Sequence, residues 1–131
     1  MKYYVAGSMR KIELFNFPAF DAARDRLLAE GHDVVSPADI DRCHGFDPMT
    51  LPVDYDWSSD TDVDMDHIIP RDLLAILECE GIYLLKGWMD SVGAFAEWAV
   101  AMWAGKTVRY EEKPCLYTAM VAMGKRIRGT K

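Results

Sequence analysis

The chain has 131 residues, half of them hydrophobic and 11% aromatic, and a formal net charge of −6. That is enough core for one folded domain, too little for two ordinary ones, and too apolar for a disordered chain. The acidic balance argues against a polyanion-binding surface, no apolar run approaches the roughly 18 residues that span a bilayer, and Cys43, Cys79 and Cys115, odd in number and far apart, suit free thiols in a reducing cytosol better than a disulfide framework.

The start, KYYVAG (2–7), is an aromatic and β-branched run that stops at glycine, which predicts a buried strand and a tight turn. The turn continues as AGSMR (6–10): Gly7, the Ser8 hydroxyl and the Arg10 guanidinium form either an ordinary strand-end turn or a cradle for phosphate or carboxylate. A helix follows, with Asn16 as its cap, Pro18 in its first turn, Phe20, Ala23, Leu27 and Leu28 at helical spacing, and Gly31 as its stop. HDVVSP (32–37) predicts a second short strand broken by Pro37.

Residues 38–66 are rich in Asp, Pro and Ser with no sustained period, and are expected to form a long loop excursion. Its acidic run tempts toward calcium: Asp60, Asp62 and Asp64 fit the first three ligand positions of a calcium loop. Met65 then stands where that loop needs glycine and Arg71 where it needs glutamate, so the segment reads as solvated acid. No metal and no cofactor is expected. Cys43-His44 is a chance neighbour pair, since adjacent side chains point apart.

Regular structure resumes with HIIPRDLLAILECE (67–80), expected as a helix with Leu73, Leu74, Ile76 and Leu77 inward and Asp72 near its start as a cap or a functional acid. GIYLLKG (81–87) is a strand, and from Val92 an apolar helix runs to Gly105. KTVRY (106–110) is a further strand, residues 117–128 a last helix, and the basic stretch GKRIRGTK (124–131) a solvated tail. Strands alternating with helices predict a single α/β domain over 1–131: three layers, with a parallel sheet of about four to five strands.

In such sheets ligands bind where the strand-to-helix loops meet, beyond the carboxyl ends of the strands. The loop before the apolar helix contains DSVGAFAE (90–97). Ser91 caps the helix, Gly93 lets a ligand approach the backbone, and Glu97 shares the face of Gly93 at position i+4. Glu97 is either an acid complementing the helix dipole or a functional carboxylate. Its neighbours Phe95, Ala96, Trp98 and Ala99 are poor company for the first reading. Trp88 either stacks on a ligand or closes the core.

Taken in order, these segments resemble the nucleoside 2-deoxyribosyltransferase superfamily, and within it the 2′-deoxynucleoside 5′-monophosphate N-glycosidases. YVAGSMR (4–10) is similar to that group's Y-x-x-G-S-[IM]-R, and SVGAFAE (91–97) to its S-x-G-x-x-x-E. RDLLAILECEGIYLL (71–85) follows the pattern of an aspartate opening a helix that leads into the nucleophile's strand. Over residues 3–110 the chain is also similar to a branch of that superfamily common in phage and prophage genomes. The resemblance implies a Rossmann-like, flavodoxin-like fold and a cytoplasmic homodimer or larger homo-oligomer. It implies a small nucleotide as substrate, with neither nucleic acid nor membrane as partner.

Position by position, the resemblance implies that Glu97 is the nucleophile, Tyr4 the hydroxyl that orients it, and Asp72 the acid on the leaving-group side. It implies that Ser8, Arg10 and Ser91 hold the 5′-phosphate, while Gly7 and Gly93 line the site. Serine at 91, where the transferases carry aspartate, favours a phosphorylated substrate, and Phe95 replaces a glycine of the hydrolases. The expected chemistry needs Glu97 ionised, helped by Tyr4, and Asp72 with a raised pKa. A deoxyribosyl transferase, a non-catalytic nucleotide sensor and an interaction protein stand as alternatives.

Overall fold

The structure, a computed structural model, describes residues 1–57 and 65–113. The expected helix over 117–128, the basic stretch 124–131, Cys115, Asp60, Asp62 and Asp64 lie outside the described residues. Four strands, β1 (Lys2–Ala6), β2 (Asp33–Val35), β3 (Gly81–Leu84) and β4 (Thr107–Tyr110), form a wholly parallel sheet in the order β2-β1-β3-β4. The chain winds outward from β1 in both directions, so the switch point falls between β1 and β3, as in flavodoxin-like folds. Both faces of β1 and β3 are covered, which is why KYYVA and GIYL read as nearly continuous apolar runs.

Side-chain alternation along these strands divides the core in two. Tyr3, Val5, Tyr83 and Leu85 pack with α1 (Phe17–Ala29) through Phe17, Phe20, Ala23 and Leu27. Tyr4, Ala6, Ile82 and Leu84 face α3 (Met65–Glu78) and α4 (Val92–Trp103). Leu28, expected in the inner stripe of α1, is exposed, because a step of about 100° from buried Leu27 carries it off that stripe.

The same geometry corrects the reading of α3. Ile76 is fully buried and Leu73 packs beside it, whereas Leu74 and Leu77 are 57% and 49% exposed. The inner ridge is Asp72, Ile76 and Cys79, at i, i+4 and i+7. Asp72 is therefore not a helix-start cap; it lies about two turns into α3, on the ridge that meets the sheet.

The 38–66 excursion is not loop throughout. Pro37 opens a short helix, α2 (Pro37–Cys43), and a turn of 3-10 helix covers Pro48–Thr50. Seven residues are too few to show a period, so the sequence pattern hides α2. It is clamped to α1 by a bidentate Arg42–Asp21 pair at 2.7 and 2.8 Å and by Arg24–Asp39 at 2.6 Å.

The loop after β1 is strained. Leu14, Phe15 and Asn16 all take positive φ (55°, 50° and 62°), a left-handed turn without glycine that costs about 1–2 kcal/mol per residue. Two contacts offset it: Asn16 donates to the Ser8 carbonyl at 2.8 Å, and Phe15 packs edge-on against Phe46 and Trp57. Asn16 thus sits at the cap position of α1 but gives its side chain to the Ser8 loop instead of the helix. Glycine is required at position 7, since a Cβ there would lie 2.7 Å from the Leu85 side chain.

Candidate active site

The site is assembled around one hydroxyl. Tyr4 of β1 is fully buried, on the sheet face covered by α3 and α4, and donates to Glu97 Oε2 at 2.5 Å. Asp72 of α3 is close enough to feel the same hydroxyl as a donor. The sheet and two helices therefore bring together three residues distant in sequence: a carboxyl, a phenol and a second carboxyl, in a half-buried setting beside the β1/β3 switch point.

Burial decides the charges. It pushes the Glu97 carboxyl up to about 8; the Tyr4 hydrogen bond opposes that rise and the Asp72 charge adds to it. The balance of these effects favours the protonated form of Glu97 in the free protein, against the expectation that Tyr4 keeps it ionised. One donated hydrogen bond does not repay the lost hydration of a carboxylate in this setting. Burial also raises Asp72, as expected, but the Arg71 guanidinium beside it pulls the other way. Burial drives the Tyr4 hydroxyl well above its usual range, with the two acids adding, so Tyr4 remains a donor.

Two residues that the sequence pattern does not single out belong to this cluster. Arg71 donates through Nε to Asp72 Oδ1 at 2.9 Å and through Nη2 to Asp41 Oδ1 at 2.9 Å. The dipeptide Arg71-Asp72 is plain in the sequence. Asp41 is not, because it belongs to a helix too short to show a period.

The other expected residues gather at the strand-to-helix loops. Ser8 Oγ donates to the Gly87 carbonyl at 3.2 Å and ties the loop after β1 to the loop after β3. Ser91 caps α4 by accepting from the Ala94 amide at 3.1 Å, which leaves its own hydroxyl proton free to donate. Arg10 is exposed, and Gly93 is exposed, with only the Ser91 hydroxyl, at 3.9 Å, near where a side chain would begin. Gly7 serves packing against Leu85. Trp88 is only 2% exposed and stacks on Phe95 with ring centroids 5.7 Å apart, beside Trp98 and Tyr110. It closes the core behind α4, and Phe95, standing where the hydrolases have glycine, is part of the same stack. Among the described residues, no helix is long and apolar enough to cross a membrane.

Fold and site together define an α/β protein with a flavodoxin-like parallel sheet and, next to its switch point, a buried tyrosine bonded to one carboxyl with a second carboxyl nearby. The chain belongs to the family described as Domain of unknown function (DUF4406), whose model matches residues 1–110 and so ends with the last residue of β4. No curated protein matches it.

Proposed function

We propose that the protein is an N-glycosidase that hydrolyses the base–sugar bond of a nucleoside or deoxynucleoside 5′-monophosphate, releasing free base and sugar phosphate. The observation that carries this reading is the Tyr4 hydroxyl at 2.5 Å from Glu97, with Asp72 near enough to interact with both. A carboxylate can capture an oxocarbenium-like anomeric carbon while a second acid protonates the leaving base. The resemblance of Tyr4, Ser8, Arg10, Asp72, Ser91 and Glu97, in order and spacing, to the nucleoside 2-deoxyribosyltransferase superfamily supports the same reading.

A Glu97 oxygen attacks the anomeric carbon as the carbon–nitrogen bond breaks. The bond's electron pair leaves with the base, which takes a proton from Asp72. Water then attacks the anomeric carbon, Asp72 accepts the water's proton, and Glu97 departs as a carboxylate. Arg10 and Ser91 hold the phosphate, joined by Ser8 once its hydroxyl turns from the Gly87 carbonyl, and the binding energy aligns the sugar over Glu97. The chain acts on a small molecule in the cytoplasm as a homo-oligomer.

The test is a panel of nucleotides followed by chromatography for free base, with a second free base in excess to expose any transfer. Release of base from at least one monophosphate is expected, and release from none defeats the reading. Arg10→Ala is expected to lower kcat/KM for the monophosphate by about 10–100-fold, the worth of a charged hydrogen bond, and to leave the plain nucleoside nearly unaffected. Equal losses on both would remove Arg10 from the phosphate site.

Because the pair must hold one proton, on Asp72 with Glu97 ionised, kcat/KM is expected to rise as the pair loses its first proton and to fall above about 8, where Glu97 of the free protein titrates. Tyr4 draws that value down, so Tyr4→Phe is expected to move the alkaline limb to higher pH and to lower the maximum, because less of the singly protonated pair carries its charge on Glu97. An unmoved limb would mean that Tyr4 does not act on Glu97.

A further inference from the structure

We infer that Arg71, anchored by Asp41 of α2, is a positioning residue that grips the Asp72 carboxylate and gives that acid alone, of the pair, a cationic partner. For its catalytic meaning this rests on the function proposed above; its electrostatic content does not.

The geometry is that of a locked fork. Arg71 and Asp72 are neighbours on α3, about 100° apart around the helix, so the guanidinium must fold back for Nε to reach Asp72 Oδ1 at 2.9 Å. Nη2, on the other side of the fork, is occupied by Asp41 Oδ1 at 2.9 Å. With both ends engaged, rotation of the guanidinium plane is restrained, and Asp72 Oδ1 is tied to it.

The side chains of Asp41, Arg71 and Asp72 are only 18%, 23% and 14% exposed, so these pairs lie largely out of water. A pair meant only to fasten α2 to α3 would be complete with Asp41, and α2 is already fastened to α1 through Asp21 and Asp39. The bond to Asp72 is surplus to that purpose, and Asp72 is the carboxyl beside the Tyr4 hydroxyl.

Among the described residues, the groups facing the acid pair are Tyr4 from β1, Asp41 from α2 and Arg71 from α3, together with Asp72 and Glu97 themselves. Arg71 is the single cation in that set and touches one acid of the two. Glu97 has a hydrogen-bond donor but no cation. The asymmetry of the site is thus the asymmetry of Arg71.

Carboxyl carbon NMR of the full chain, labelled at Asp and Glu and titrated without substrate, reads this directly. In the unaltered protein Asp72 is expected to titrate below Glu97. In Arg71→Met the Asp72 midpoint is expected to rise by about one pH unit or more. The Glu97 midpoint should not fall, since Asp72 still loses its proton first and a cation near the pair is gone. Arg71→Lys, which keeps the charge but not the fork, should fall between the two, and it decides the matter if Arg71→Met does not fold. An Asp72 midpoint that stays put in a folded variant overturns the inference. An Asp72 midpoint that moves as stated in a protein that releases no base from any nucleotide keeps the positioning role and removes the glycosidase.

Discussion

At about pH 9 the Glu97→Gln variant is expected to melt on the order of 10 °C above the unaltered protein, and at about pH 4 at nearly the same temperature. The folded state raises the Glu97 pKa from the usual carboxylate value of 4.5 to about 8. Between those values the folded chain binds a proton that the unfolded chain has lost, so stability falls as pH rises through the interval. Above about 8 the full penalty of a buried charge is present. Each unit of displacement is worth about 1.4 kcal/mol, and a few kcal/mol moves the midpoint of a domain this size by that order. Glutamine keeps the acceptor for the Tyr4 hydroxyl and removes the charge, so it escapes the penalty. Below pH 4.5 the glutamate is neutral in both states and the two proteins converge. Calorimetry at the two pH values checks this. A variant less stable at both would mean that the Glu97 charge is satisfied in the fold.

The same substitution is expected to lower turnover by about 10⁴-fold or more, the scale on which loss of a nucleophile is felt. Glutamine fits the site and accepts from Tyr4, but its amide oxygen is a far weaker nucleophile than a carboxylate. Gaining stability while losing turnover is the signature of a group held in an unfavourable state for chemistry. A helix-dipole acid behaves in the opposite way, because its removal lowers stability.

The part of the molecule legible in the sequence is the part governed by local rules. Strand runs ending in glycine, the Ser91 cap and the 3.6-residue period of α4 locate β1, β3 and Glu97 from residue order alone. The i, i+4 relation of Gly93 and Glu97 gives the face. What escapes depends on tertiary packing. Leu73 with Ile76 and Leu74 with Leu77 are equivalent ridges in sequence, and only the sheet chooses between them. Asp72 resembles a helix-start residue because Pro70 precedes it so closely, yet α3 reaches back to Met65. Asp41 is hidden in a helix too short to have a visible period. The charge of Glu97 is illegible for a related reason: the Tyr4 bond is suggested by the resemblance, whereas the desolvation that outweighs it is set by β1, α3 and α4 together.

The most direct measurement is the release of free base from the preferred nucleoside 5′-monophosphate, followed by chromatography at about pH 8 for the unaltered protein and for Glu97→Gln at equal folded concentration. The account predicts steady release by the first and none above the uncatalysed background for the second. Undiminished release by a folded Glu97→Gln would contradict it, and would leave the Tyr4–Glu97 pair as a feature of packing alone.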